Sequence, residues 1–159
     1  MSDTVNFSRE PDATTTLTMS RKFPEPAQRL FDAWADPEQN CRWMGPKSVD
    51  CRVDVWDFRE GGEYEIVMVS SEGNEFPAHG TFETIDPPNR LTMSWAWQHK
   101  DMMQGTDTHL DLQFEQLDDH NSELRLTHSR MPDNEQAERH QEGWSGSFEC
   151  LARHLAEKG

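Results

Sequence analysis

Apolar and polar residues alternate along the middle of the chain, and a helical spacing replaces this alternation near the end. The clearest alternation covers residues 91–98, and weaker forms occur at residues 14–23, 49–58, 64–69, 76–85, 108–115 and 124–128. A period of two predicts strands with one buried face. Short turns rich in Gly, Asp, Asn and Pro join consecutive strands of the second half, which requires antiparallel pairing.

The segment Pro132–Gly159 predicts one long helix. Its apolar residues from position 144 onward lie four, three and four residues apart, which is typical of one buried helical face: Trp144, Phe148, Leu151 and Leu155. Asp133 suits the N-cap, with Gln136 as its capping-box partner, and Gly159 ends the helix.

Two shorter helices, one over residues 26–35 and one that starts at residue 36 and ends near residues 43–46, are predicted directly after the first strand. The expected fold class is therefore α+β, a curved antiparallel sheet of six to seven strands wrapped around the C-terminal helix. Residues 1–13 are predicted to be a flexible tail, and residues 14–159 a single domain.

Charge restricts the partners of this domain. The 159 residues include thirty Asp and Glu against fifteen Lys and Arg, a formal net charge of −15. Such a chain is repelled by nucleic acid and by anionic membranes, so neither is an expected partner. A salt-rich cytoplasm and an ordinary acidic protein both fit this composition.

The compartment predicted from the sequence is the cytoplasm. The three cysteines Cys41, Cys51 and Cys150 are odd in number and contain no CxxC pair, so no disulfide framework is expected. No segment has the apolar length of a signal peptide core or of a membrane span.

Several short phrases, taken in order, resemble one known superfamily. They are Phe23–Phe31, Trp43–Gly45, Gly61–Tyr64, Gly80–Phe82, Asp86–Leu91 and Gly143–Trp144. Together they resemble the START-like (SRPBCC, helix-grip) superfamily, in the branch related to the C-terminal domain of the activator of the heat-shock-protein ATPase. The resemblance covers about residues 14–155. It implies a cavity between sheet and long helix, often used for small apolar ligands, and no shared catalytic residues.

Aromatic and methionine side chains that the alternation directs inward form the predicted ligand site. The candidate ligand-binding residues are Trp43, Met44, Met68, Met93, Trp95, Trp97, His128, Met131, Trp144 and Phe148. His128 is the best candidate for a general base, although a core histidine bonded to a carbonyl group is the commoner case. Gly143 and Gly146 either permit close packing against the sheet, which we favour, or leave room for a ligand.

Three functions remain open from the sequence. The first is a binding protein for a small apolar or aromatic molecule, without cofactor or metal. The second is an enzyme of the polyketide-cyclase or dehydratase kind, in which His128 acts with His109 or Glu65. The third is a stress-response or co-chaperone-like interaction domain. No His pair has metal-ligand spacing. Strand edges and a loop at Met102–Met103 would allow a homodimer.

Overall fold

A computed structural model describes residues 3–45, 49–99 and 106–158. Its helices and strands follow one another in this order: β1 (Thr4–Arg9), β2 (Thr15–Phe23), α1 (Ala27–Ala35), α2 (Pro37–Trp43), β3 (Asp50–Trp56), β4 (Glu63–Val69), β5 (Glu75–Asp86), β6 (Arg90–Trp97), β7 (Thr108–Gln116), β8 (Ser122–Met131) and α3 (Asn134–Lys158). The predicted loop at residues 100–105, with Met102–Met103, and the predicted helix end at Gly159 lie outside the described residues.

The strands form one antiparallel sheet in the order β1-β2-β8-β7-β6-β5-β4-β3. The predicted α+β class and the sheet on a long C-terminal helix are confirmed, but the sheet has eight strands rather than six to seven. The alternation in the sequence matches the burial of side chains along the strands. On β7, the buried residues are Thr108, Leu110, Leu112 and Phe114, and the residues between them are not buried. One sheet face thus supplies the core.

Helix α3 covers that face along one side of the sheet. The Asp133 carboxylate accepts a hydrogen bond of 2.9 Å from the Gln136 amide, which confirms the predicted cap. The predicted stripe is confirmed too, because all its residues are almost fully buried: Trp144, Phe148, Leu151 and Leu155. The backbone of α3 approaches β1, β2, β8 and α2 most closely. None of the described helices is long and apolar enough to cross a membrane.

The prediction of a flexible tail over residues 1–13 is wrong for Thr4–Arg9, which forms edge strand β1 along β2. Five of its six residues are exposed, so no alternating apolar signal marks this strand. Buried polar contacts hold it instead. Asp3 pairs with Arg21 of β2, and it also accepts a hydrogen bond of 2.9 Å from the Ser145 hydroxyl of α3.

The expectation of no disulfide also needs correction, because Cys41 of α2 and Cys51 of β3 form one, with Cα atoms 5.1 Å apart. Strand β3 packs against α2, and this packing brings together two cysteines that are ten positions apart. Cys150 remains a free thiol. Disulfides are typical of oxidising compartments, so the cytoplasmic location stays a prediction.

Replacing Asp3 tests how β1 is anchored. The Asp3 and Arg21 side chains are only 8% and 4% exposed, so Asp3→Asn leaves a buried cation without its main partner. We expect the free energy of unfolding, measured by urea denaturation, to fall by about 2–3 kcal/mol. Arg21 Nη1 also lies 3.0 Å from Glu149 Oε1, in an orientation that suits charge attraction better than a hydrogen bond.

Glu149→Gln is the matched control for that experiment. The Glu149 side chain is 52% exposed, so removing its charge should lower the free energy of unfolding by less than about 1 kcal/mol. Equal effects of the two substitutions would contradict an anchor centred on Asp3.

Candidate functional site

A cavity of about 240 Å³ lies between α3 and the concave face of the sheet. It is surrounded by residues of α3, β4, β5, β6 and the segment between α2 and β3. They are Gly45, Val49, Met68, Phe76, Trp95, Trp97, Gln136, Arg139, His140, Gly143, Trp144 and Ser147. The wall is therefore mostly aromatic and apolar, as in pockets for small organic molecules.

The helical wall of the cavity is a single stripe of α3. Its residues occupy positions 136, 139, 140, 143, 144 and 147, the three- and four-residue spacing of one helical face. Gly143 stands in the middle of this stripe. A Cβ atom added to Gly143 would meet no neighbouring atom within 4 Å. The expectation that Gly143 permits close packing against the sheet is therefore wrong, because the sheet stands away from the helix at this point.

Three indole rings form the inner wall. Trp95 contacts Trp97 and Trp144, with ring centroids 5.6 Å and 5.4 Å apart. Trp144 also contacts Trp34, at 5.8 Å. Rings in tilted and edge-on contact hold one another in place, so this wall is part of the core and is not a mobile surface.

His128 lies behind the indole wall and does not line the cavity. Its Nδ1 atom accepts a hydrogen bond of 3.2 Å from Trp144 Nε1, and its Nε2 atom bonds Thr108 Oγ1 at 2.7 Å. The Thr108 hydroxyl donates to the Trp95 carbonyl, so Nε2 of His128 is the ring nitrogen that carries the proton. Burial lowers the pKa of His128 well below its ordinary value, which keeps the ring neutral.

His140 lines the cavity but is similarly engaged. Its Nδ1–H group donates to the Gln136 carbonyl at 2.8 Å, and its Nε2 atom accepts from Trp97 Nε1 at 2.9 Å. Burial lowers the pKa of His140 too, so this ring brings no charge to the cavity. The imidazole rings of His128 and His140 pack edge to face, with centroids 5.0 Å apart.

The edge of the cavity on the α2 side is tied to α3 by one hydrogen bond. Gly45 has a φ of +92°, a left-handed conformation that glycine adopts without strain. Its N–H group donates to Ser147 Oγ at 2.9 Å. This bond fixes the edge formed by Gly45 and Val49 against the middle of the helix.

The structure separates the predicted ligand-binding residues into two groups. Met68, Trp95, Trp97 and Trp144 line the cavity. The others are buried away from it, among core side chains: Trp43, Met44, Met93, His128, Met131 and Phe148. The alternation predicted burial of these residues, and burial alone does not distinguish a core residue from a cavity residue.

Sequence reasoning missed the α3 residues Gln136, Arg139 and His140, together with Ser147. A signal for them existed, because they share the helical spacing of Gly143 and Trp144. The proposed catalytic partners of His128 do not reach the site. His109 bonds Glu83 at 2.7 Å on the opposite sheet face, and Glu65 lies on that same face, beside His79 in the register.

Among residues 3–45, 49–99 and 106–158, no cluster of three or more His, Cys, Asp or Glu side chains is arranged to hold a metal ion. The absence of a cofactor or metal therefore stays a prediction.

A family model and several solved structures match this chain. The model for "Activator of Hsp90 ATPase homolog 1-like protein" matches residues 24–156. An AHSA1 protein from Silicibacter pomeroyi is 28% identical, with a TM-score of 0.81 over 91% of this chain and 99% of that one. A protein from Chromobacterium violaceum is 22% identical, with a TM-score of 0.78 over 87% and 95% of the two chains. No curated protein sequence matches.

The two buried histidines predict how stability depends on pH. Well above about pH 6.5 both rings are neutral in the folded and the unfolded chain, and they contribute no pH dependence. Below that pH the unfolded chain binds protons at these two histidines and the folded chain does not, because folding lowers the pKa values of His128 and His140. Each ring should then lower the free energy of unfolding by up to about 1.4 kcal/mol per pH unit.

Urea denaturation between pH 7 and pH 5 checks this dependence in His128→Gln and Thr108→Val. We expect His128→Gln to reduce the slope of stability against pH by about one proton. Thr108→Val removes the hydrogen bond of the ring but keeps its titration, so it should lower stability while retaining the slope. Parallel curves for the wild type and His128→Gln would contradict this assignment.

Proposed function

We propose a ligand-binding role for this chain, which belongs to the family of activator of Hsp90 ATPase homolog 1-like proteins. In this proposal the protein holds a small apolar or aromatic molecule between α3 and the sheet. The observation that carries it is the cavity at Gly143, walled by indole rings and set inside a well-packed core.

An unfilled cavity in this position lowers the stability of the fold unless a bound molecule restores the missing contacts. Side chains that face a gap lose the dispersion contacts that a packed neighbour would supply. Position 143 offers a simple way to begin filling the gap, because a Cβ atom added there meets no neighbouring atom within 4 Å. Glycine within a helix also costs about 1 kcal/mol relative to alanine. The combination supports a cavity kept for a ligand.

The polar groups around the cavity favour binding over catalysis. Proton transfer needs a titratable group within hydrogen-bond reach of the ligand and free to exchange its proton. Of the described lining residues, His140 is the one imidazole, and both its nitrogens are engaged within the protein. The proton-transfer pair of the cyclase alternative, His128 with His109 or Glu65, is not assembled here, because none of these residues lines the cavity.

Substitution of Gly143 tests the proposal. Gly143→Leu places a branched side chain in the cavity and should weaken the binding of a neutral two-ring probe, 2-naphthamide, by at least about tenfold. Binding is measured by isothermal titration and by the change in tryptophan fluorescence, because Trp95, Trp97 and Trp144 form the wall.

Gly143→Ala is the matched control. It adds one methyl group, should keep most of the binding, and should raise the free energy of unfolding by about 0.5–1 kcal/mol. Unchanged binding of 2-naphthamide by Gly143→Leu would place the probe elsewhere and overturn the proposal. Failure of the wild-type protein to bind this probe and other one- and two-ring compounds would overturn it as well.

A further inference from the structure

Arg139 is the one formally charged residue among the described residues that line the cavity. Resting on the proposed ligand-binding function, we propose that the ligand is an aromatic carboxylate, with its rings against the indole wall and its carboxylate at the Arg139 guanidinium. The proposal names the chemical class of the ligand and the residue that selects it.

Arg139 differs from most arginines of this acidic chain. Arg21, Arg29, Arg52, Arg59, Arg90 and Arg125 each have a carboxylate within ion-pair distance. Within the part of the chain that the structure describes, Arg139 has no such partner, although the protein carries twice as many acidic as basic side chains. No carboxylate of the described residues therefore occupies its five N–H donors.

The acidic neighbours of Arg139 on α3 do not occupy this position. Glu135 and Glu142 lie four residues before and three residues after it, where ion pairs between helical neighbours form, and Glu138 is adjacent. All three are exposed and none of them lines the cavity. The negative charge of these glutamates weakens the long-range attraction of Arg139 for anions. A carboxylate is therefore bound most favourably when it forms hydrogen bonds with the guanidinium directly.

The remaining polar side chains of the cavity carry no charge. Gln136 is an amide, His140 is a neutral imidazole, and Ser147 accepts the Gly45 N–H. The other lining side chains are aromatic rings and those of Met68 and Val49. Arg139 is therefore the one cationic group of the described lining that can pair with a carboxylate, while flat apolar rings suit the remainder.

Volume limits the size of the ligand. The cavity of about 240 Å³ corresponds to roughly eight water molecules at about 30 Å³ each. One or two fused rings with a single carboxylate fill such a space, and larger ring systems would have to extend through the opening.

Two probes of the same shape test the proposal by isothermal titration at neutral pH. 2-Naphthoate carries the carboxylate, and 2-naphthamide replaces it by a neutral amide. We expect the wild-type protein to bind 2-naphthoate about fivefold more tightly, and Arg139→Gln to lose this preference while binding 2-naphthamide unchanged. Arg139→Lys keeps the charge without the planar fork and should retain part of the preference.

Arg153→Gln is the matched control for a change of charge. Arg153 is also an exposed arginine of α3, but it lies beside Cys150 and His154 in a different cleft. It should keep the full preference for 2-naphthoate. An equal loss in Arg153→Gln and Arg139→Gln would reduce the effect to net charge and overturn the proposal.

The outcomes also separate this inference from the function on which it rests. If 2-naphthamide binds, Gly143→Leu blocks it and the wild type shows no preference for 2-naphthoate, the carboxylate assignment fails and the ligand-binding function stands. If the wild-type protein binds neither probe nor any other one- or two-ring compound, both fail together.

Discussion

The whole molecule depends on one geometric constraint, that the long helix α3, together with the short α1 on β7 and β8, has to cover the concave face of an eight-stranded sheet. Helix α3 meets this demand on one side, where its backbone approaches β1, β2 and β8 closely. On the other side, strands β5 and β6 lie farther from the backbone of α3, and side chains bridge the distance. Large rings such as Trp95 and Trp97 occupy most of this space, and the cavity is what they leave.

Hydrogen bonds between rings make this bridge rigid. Trp97 donates to His140, and Trp144 donates to His128. The N–H groups of His140 and His128 donate hydrogen bonds to the Gln136 carbonyl and to Thr108 Oγ1, so both imidazoles are satisfied although both are buried. Desolvation keeps them neutral, and neutral rings are the ones that can accept from an indole N–H. In this cluster, burial lowers the pKa values of the two histidines, and the neutral rings that result accept the indole hydrogen bonds.

The sequence predicted the order of the elements because period-two and helical spacing are strong in β6, β7 and α3. It missed β1 because backbone pairing and the contacts of Asp3 hold that strand, and neither leaves an apolar pattern. It missed the Cys41–Cys51 pairing because the packing of β3 against α2 is a tertiary contact, which no local pattern in the sequence marks. His128 was expected inside and is inside, but only the structure shows which partners use its nitrogens.

The cavity itself was harder to predict than the fold, and the reason is physical. Trp144 and Phe148 are fixed by the core they pack into, so their type is dictated by burial. Gly143 and Arg139 contribute little to packing: one meets no neighbour and the other is exposed. Residues in such positions can change without loss of the fold. Under the proposed ligand-binding role, the class of ligand would be decided by the helix positions that stability constrains least, and membership of the family would not determine it.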